Sequence, residues 1–400
     1  MTKPPVDVCI IGGGLVGCFA ALFLAERGRT VTLIEKRVVG GQASGVNFGN
    51  LRLEGRDAVE FPLALAAHDI GERFEAITGE TGGVEKTGHA YMAFGAQDHA
   101  RLDLYAREAN AAGIAVELLD RADVRRRWPA LSSAVTAATW SSRDAVGDPK
   151  ATTAPVARMA AQKGATILEH HGVTRFTRTG AGFSVATDRG ASVSCATVVN
   201  AAGAWAGAFA AAIGEPVPMF AAGPPIIATA PAARLNIASM QAVDGSIIVR
   251  QSRDGCVITS SFPRQPSDLD SGASPIASER IARDLERLGA VVPALQGIAA
   301  DRAWSGVEGY LPDMLPVLGP SRKMAGVIHA FGLSGHGYQL APGVGRVVAD
   351  LCIDQRTMIP IAAFDIARFT GTIKPSDRLA AEFDASLLAK ATESKGSPHD

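Results

Sequence analysis

In this 400-residue chain the residues best spaced for chemistry are three glycines and an acid near the N-terminus. Gly12, Gly14 and Gly17 form a Gly-x-Gly-x-x-Gly run directly after the β-branched apolar stretch VDVCII. The first glycine permits a tight turn, the second lets a pyrophosphate approach the backbone, and the third permits close helix–strand packing. Free N–H groups at the start of the following helix, around Leu15 and Val16, then hold the phosphates. Glu35 follows 18 residues after Gly17, where a carboxylate can accept hydrogen bonds from both hydroxyls of an adenosine ribose and disfavours a 2′-phosphate. Next comes a loop of small and polar residues, GGQASGVNFG at 40–49. Its Gly41, Ser44, Asn47 and Gly49 offer small side chains and backbone donors. A nicotinamide dinucleotide needs no such loop here, whereas a ligand continuing from pyrophosphate to a ribityl chain and flavin ring does.

The elements that must position these residues follow from patterning. Val6–Ile11 reads as a strand buried on both faces, the run from Leu15 as a helix apolar nearly all round, and 30–34 as a second buried strand. Together they make one βαβ unit in about 30 residues. Residues 62–77 and 98–113 read as helices and 88–94 as a strand. Asp148, followed by Pro149, predicts a helix start at 148–163. Strands are expected at 165–169, 183–187, 192–195, 197–200, 246–250, 256–260 and 327–331. Helices are expected at 278–288 and from Pro342 to 353. The chain beyond Thr370 reads as a peripheral segment with a frayed end at 394–400.

Composition narrows the classes. Hydrophobic residues make up 47% and charged residues 20%, so the chain is globular rather than disordered. Its 39 basic residues meet 40 acidic ones, a balance with no attraction for nucleic acid. Five cysteines lie far apart without a CxxC, which speaks against a disulfide framework or zinc site and for a reducing compartment. No apolar run reaches about 18 residues, so no membrane span is expected. Neither a nucleophile elbow nor metal-ligand spacing occurs, and no metal is expected.

Six ordered motifs resemble the FAD-dependent D-amino acid oxidase superfamily, which includes glycine oxidase, sarcosine oxidase and D-amino acid dehydrogenase. They are the N-terminal signature, GGQASGVNFG, Gly147-Asp148-Pro149, TVVNAAGAW at 197–205, LPDMLPVLG at 311–319, and Gly335-His336-Gly337-Tyr338 with the helix after it. The stretches ASGVNFGNLR and VEGYLPD resemble bacterial hydroxyproline dehydrogenases, opine oxidase subunits and sarcosine oxidase β-subunit-like proteins.

The resemblance implies an α/β fold: a Rossmann-like FAD domain from 1–80, 146–213 and 302–370, and a substrate domain with a mixed, largely antiparallel sheet from 81–145 and 214–301. It implies FAD contacts from Gly12, Gly14, Leu15, Val16, Gly17, Glu35, Lys36, Gly41, Gln42, Ser44, Asn47, Gly49, Val173, Ala202, Gly203, Trp205, Gly335, His336, Gly337, Tyr338 and Gln339. With no cysteine between Cys256 and Cys352, the FAD is expected to be non-covalent.

The implied reaction oxidises an amino acid or N-substituted amino acid of the D-amino acid, hydroxyproline, sarcosine or opine class to an imine. The Arg-Pro pair often found before the TPD segment is replaced here by Val307-Glu308-Gly309-Tyr310. Arg52 and Arg250 become the candidates for the substrate carboxylate, His336, Tyr91 and Tyr310 for the pocket, and Glu308 for a cationic group on the substrate. Two alternatives share the motifs: a 2-hydroxy acid dehydrogenase, and the flavoprotein subunit of a hetero-oligomeric amine dehydrogenase. The electron acceptor (oxygen, quinone or partner subunit) is left open, and a cytoplasmic location, or one peripheral to the inner membrane, is expected.

Overall fold

The computed structural model describes residues 4–180, 182–371 and 373–384. One sheet runs in the order Val317–Pro320, Val327–Phe331, Ser192–Asn200, Val6–Ile11, Val31–Ile34, Thr166–Leu168, with the hairpin Val173–Thr179 and Gly182–Thr187 attached to Ser192–Asn200. Val6–Ile11 is parallel to both neighbours. Ile11 stands level with Ile34 on one side and with Asn200 on the other. Three turns therefore emerge together at one edge, namely Gly12–Gly14, Glu35–Arg37 and Ala201–Trp205, which is where open parallel sheets bind ligands.

The helix Leu15–Glu26 is buried at every position from Leu15 to Ala25, as its all-round apolar sequence requires. It packs against Thr153–Gln162 and Gly337–Asp354. Close packing depends on two glycines. Gly12 has φ +112°, and a side chain at Gly17 would overlap the Gly12 carbonyl oxygen.

The second large sheet runs Ala300–Trp304, Ile226–Pro231, Cys256–Ser260, Ile248–Gln251, Ser239–Ala242, His89–Ala93, Ala137–Trp140, Glu117–Leu119. All its pairs are antiparallel except Ser239–Ala242 with His89–Ala93. That parallel pair sets Tyr91 beside Gln241. The amphipathic helix Ser278–Val291 buries Leu288 and Val291 in the core of this sheet. A three-stranded sheet of Phe220–Gly223, Gln265–Pro266 and Glu308–Tyr310 lies beside it in sequence but pairs separately.

Several boundaries differ from the sequence reading, and the strands expected at 192–195 and 197–200 are one, Ser192–Asn200. The helix expected over 62–77 is two helices, Phe61–Gly71 and Phe74–Thr78, so that Phe74 and Thr78 turn inward. Asp148 caps the short turn Pro149–Ala151, accepting from the Lys150 N–H at 2.9 Å, and the α-helix begins only at Thr153. The helix expected from Pro342 starts at Gly337 with Pro342 inside it. No helix among the described residues is long and apolar enough to cross a membrane.

Gly17→Val should cost about 1–3 kcal/mol through overpacking against the Gly12 carbonyl. Urea denaturation of the variant checks this, and a midpoint equal to the parent's contradicts it.

Candidate active site

The three converging turns open into a cavity of about 1020 Å³. At its nucleotide end lie Gly12, Gly14, Leu15, Val16, Glu35 and Lys36, with Val173, Ala202, Gly203 and Trp205 on the facing bank. The Glu35 carboxylate is fixed by the N–H groups of Gly13 (2.8 Å) and Arg37 (2.7 Å). No side chain caps the helix at Gly14. Ser44 Oγ accepts from the Leu15 N–H at 2.8 Å, joining the second glycine-rich loop to the helix start. Asn47 holds that loop by donating to the Ala43 and Ser44 carbonyls and accepting from the Gly49 N–H. Gly41, Gln42, Ser44, Asn47 and Gly49 line the middle of the cavity, and Gly335, His336, Gly337 and Tyr338 its far end. A glycine turn at a helix start and an acid at the end of the next strand, continuous with this far chamber, suit a dinucleotide that ends in a flavin ring.

The far chamber is built around His336, which is buried. Its Nδ1 lies 3.0 Å from Glu60 Oε2, and its Nε2 lies 3.3 Å from Arg52 Nη2. Burial, then the guanidinium groups of Arg378, Arg56 and Arg52, hold the imidazole well below its ordinary pKa. A neutral ring can donate from Nδ1 to Glu60 and accept at Nε2 from Arg52, with Arg378 Nη1 also 3.3 Å from Nδ1.

Arg52 Nη1 donates to the carbonyls of Glu54 (2.6 Å) and Gly55 (3.3 Å) and to Tyr91 Oη (3.0 Å). All these acceptors are neutral. Arg56 is fully enclosed and also has neutral partners, donating to the Arg52 carbonyl and Gln339 Oε1. Its Nη1 has no partner among the described residues, and burial followed by the charge of Arg52 lowers its pKa to about 10.

Behind Arg52 lies a buried cluster of Glu54, His89 and Asp144, whose polar atoms fall within 4.8 Å of one another. His89 Nδ1 is 2.9 Å from Glu54 Oε2, and Asp144 accepts from the Leu53 and Glu54 N–H groups. Burial raises Glu54 to about 8 and Asp144 to about 6 and lowers His89 to about 3. The positive charges of Arg52 and Arg56 press on His89, and both Asp144 oxygens are already engaged, so the cluster is poorly suited to a cation. It braces the 53–55 turn that aims Arg52.

The opposite wall corrects the expectation of a peripheral C-terminus. The short helix Asp377–Glu382 is packed into the chamber, with Leu379 and Phe383 buried against Tyr310 and Met314. Glu382 bridges Arg264 Nε and Arg378 Nε, each at 2.6 Å. Arg378 Nη2 also donates to the Ser334 carbonyl at 2.7 Å. Residues 385–400, including the frayed end expected at 394–400, lie outside the described residues.

A family model described as "FAD dependent oxidoreductase" matches residues 7–351. The chain belongs to the FAD dependent oxidoreductase family. This is the superfamily expected from the motifs, and FAD is its cofactor. The chain is 27% identical to 4-methylaminobutanoate oxidase (formaldehyde-forming) of Paenarthrobacter nicotinovorans over 92% of its own length but only 46% of that protein. It is 26% identical to glycine oxidase of Geobacillus kaustophilus, covering 92% of this chain and 98% of the oxidase. The crystal structure of L-proline dehydrogenase from P. horikoshii superposes with a TM-score of 0.85 at 25% identity, covering 96% of this chain and all of that one. The chain thus spans about half the length of the first of these relatives and nearly all of the second.

In this flavoenzyme most of the expected residues meet in one cavity, but four do not line it. Arg250 donates from Nε to the Phe48 carbonyl at 2.8 Å and so supports the flavin-side loop from behind. Tyr310 is fully buried between Phe220 and Phe383, and its hydroxyl donates to Glu308. Gln339 is spent on Arg56 and the Ala64 carbonyl. Gly17 packs under the Gly12 turn. Arg52, Tyr91 and His336 do face the cavity.

Sequence reading missed Arg56, Glu60, Arg264, Arg378 and Glu382. Glu60 carried a local signal, as did the i,i+4 pair of Arg378 and Glu382. Asp57 and Glu60 form a capping box, in which Asp57 accepts from the Val59 N–H and Glu60 from the Asp57 N–H, and the same carboxylate reaches His336.

The Glu54 carboxyl titrates near its ordinary 4.5 in the unfolded chain and near 8 when folded. Its protonated form stabilises the fold fully below about pH 4.5, and that contribution is lost as the pH rises towards 8. Urea melts at pH 5 and 8 should show the parent losing more stability over this interval than Glu54→Gln. Equal losses would contradict the assignment.

Proposed function

We propose that this flavoenzyme oxidises the C–N bond of an amino acid or N-substituted amino acid, of the D-amino acid, hydroxyproline, sarcosine or opine class, to an imine. One observation carries the reading. Arg52 faces the chamber as a guanidinium whose partners are all uncharged, directly beside His336 and the Gly335–Gly337 turn. A half-buried cation with no anionic partner among the described residues is costly, and a substrate carboxylate supplies that partner.

Bound FAD supplies the hydride acceptor for the substrate C–H bond. The chain's own residues do the rest. Arg52 binds the carboxylate and so sets the position of the α-carbon. Tyr91 and His336 hold the guanidinium in place from two sides. The neutral imidazole adds no further positive charge beside an amine that must be unprotonated to be oxidised. Gly335 and Gly337 present backbone at the start of the helix Gly337–Asp354, whose positive end favours negative charge on a reduced ring. None of the five cysteines lines the cavity, which supports a non-covalent flavin.

The deciding experiment is anaerobic titration of the purified holoprotein with D- and L-amino acids, N-methyl glycines, prolines and opines, followed by flavin bleaching. Bleaching by 2-hydroxy acids but by no amine would overturn the proposal. Turnover by the chain purified alone separates a self-sufficient enzyme from a subunit of a larger complex. Arg52→Lys keeps the charge but loses the planar fork, and it should raise KM about 10–100-fold with FAD still bound. An unchanged KM would remove Arg52 from the substrate site.

A further inference from the structure

The nucleotide end of the cavity has two banks, formed by the residues after Ile34 and the residues after Asn200. A loop from elsewhere in the chain touches both. It begins after the strand Gln265–Pro266, which belongs to the small sheet with Phe220–Gly223 and Glu308–Tyr310. On one bank, Trp205 Nε1 donates to the Leu269 carbonyl at 2.9 Å. On the other, Arg37 Nη2 donates to the Ser271 carbonyl at 2.9 Å. Between the banks, the Lys36 ammonium stands 3.4 Å from the centre of the Trp205 ring.

The loop is preformed for this reach. Asp268 accepts from the Ser271 N–H at 2.7 Å and the Ser271 hydroxyl at 2.9 Å. Backbone bonds run from the Gly272 N–H to the Asp268 carbonyl and from the Asp268 N–H to the Ala273 carbonyl, both at 2.9 Å. At its base Gln265 Nε2 donates to the Ser274 carbonyl at 2.9 Å. Gly272 has φ +68°, and a Cβ there would lie 2.8 Å from Arg37 Nη2, so only glycine lets the guanidinium lie against this turn.

We propose that residues 268–272 are a cofactor-retaining strap, which ties the Arg37 bank to the Trp205 bank at the adenosine end of the FAD site and must open for FAD to leave. The inference concerns cofactor retention only and is independent of which substrate the enzyme oxidises. The banks follow two strands that flank Val6–Ile11, and the Arg37 and Trp205 side chains are joined through this loop. Tying them from the outside opposes their separation without contributing an atom to the flavin end. Lys36 and Trp205 both line the groove, so the strap acts on residues that face the nucleotide itself.

The test is the rate of FAD release from the purified holoprotein, read as the rise in free-flavin fluorescence after dilution. Asp268→Ala removes the carboxylate that shapes the loop and lies outside the groove. Arg37→Ala removes the far tie. Each should speed release about three- to tenfold, the range of one hydrogen bond, and leave the visible spectrum of the bound flavin unchanged. Release within twofold of the parent in both variants overturns the proposal. Should either variant fail to fold, amide hydrogen exchange of the unaltered chain decides: FAD should slow exchange across 268–272, and equal exchange in the apo- and holo-protein overturns the strap.

Discussion

Four guanidinium groups, from Arg52, Arg56, Arg264 and Arg378, share the walls of one chamber, and keeping that much positive charge away from bulk water constrains everything around it. Removing a cation from water costs several kcal/mol unless its donors are met. The two walls meet that cost differently. Arg264 and Arg378 divide the Glu382 carboxylate between them, whereas Arg52 and Arg56 rest on carbonyls, a phenol, an amide and an imidazole. The first wall is balanced and can serve as structure. The second keeps an excess of charge that an anionic group would offset.

The same charge sets the state of its neighbours. Burial and the surrounding guanidiniums keep His336 from taking a second proton, so it acts as a neutral spacer between Glu60 and Arg52. Glu54, His89 and Asp144 form a second buried layer whose members hold their protons, or their lack of them, far from ordinary values. Such a layer is expensive, and its return is rigidity. The turn carrying Arg52 is pinned by Asp144 through the Leu53 and Glu54 N–H groups, and a guanidinium so held can place a carboxylate without first being ordered.

Two sheets bring this about, with separate tasks. Parallel strands align three turns at one edge and create the nucleotide groove. The largely antiparallel sheet sets Tyr91 and Gln241 side by side over the chamber. The chain from Glu308 to Tyr338 links the two tasks, passing from the small sheet through the edge strands of the parallel sheet to the Gly335–Tyr338 turn. The cofactor end and the substrate end are consequently one continuous cavity rather than two sites.

Much of the cofactor end was legible in the chain because its signals are local. Gly12, Gly14, Glu35, Ser44 and Asn47 act within a few residues of the turns that carry them, and glycine spacing reports backbone geometry directly. Arg52 and His336, each beside a recognisable loop, also line the cavity. Arg250 and Tyr310 were misplaced because residue type tells nothing about direction. One guanidinium turned towards the Phe48 carbonyl, and one phenol turned into a core between two phenylalanines. Arg264 and Glu382 meet across 118 residues, and although Arg378 stands only four residues before Glu382, a short polar segment near the C-terminus looks the same in sequence whether it is solvated or buried. Local backbone demands are written into neighbouring residues and can be read there. Compensation of buried charge is settled between distant residues, and only the folded chain shows which of them meet.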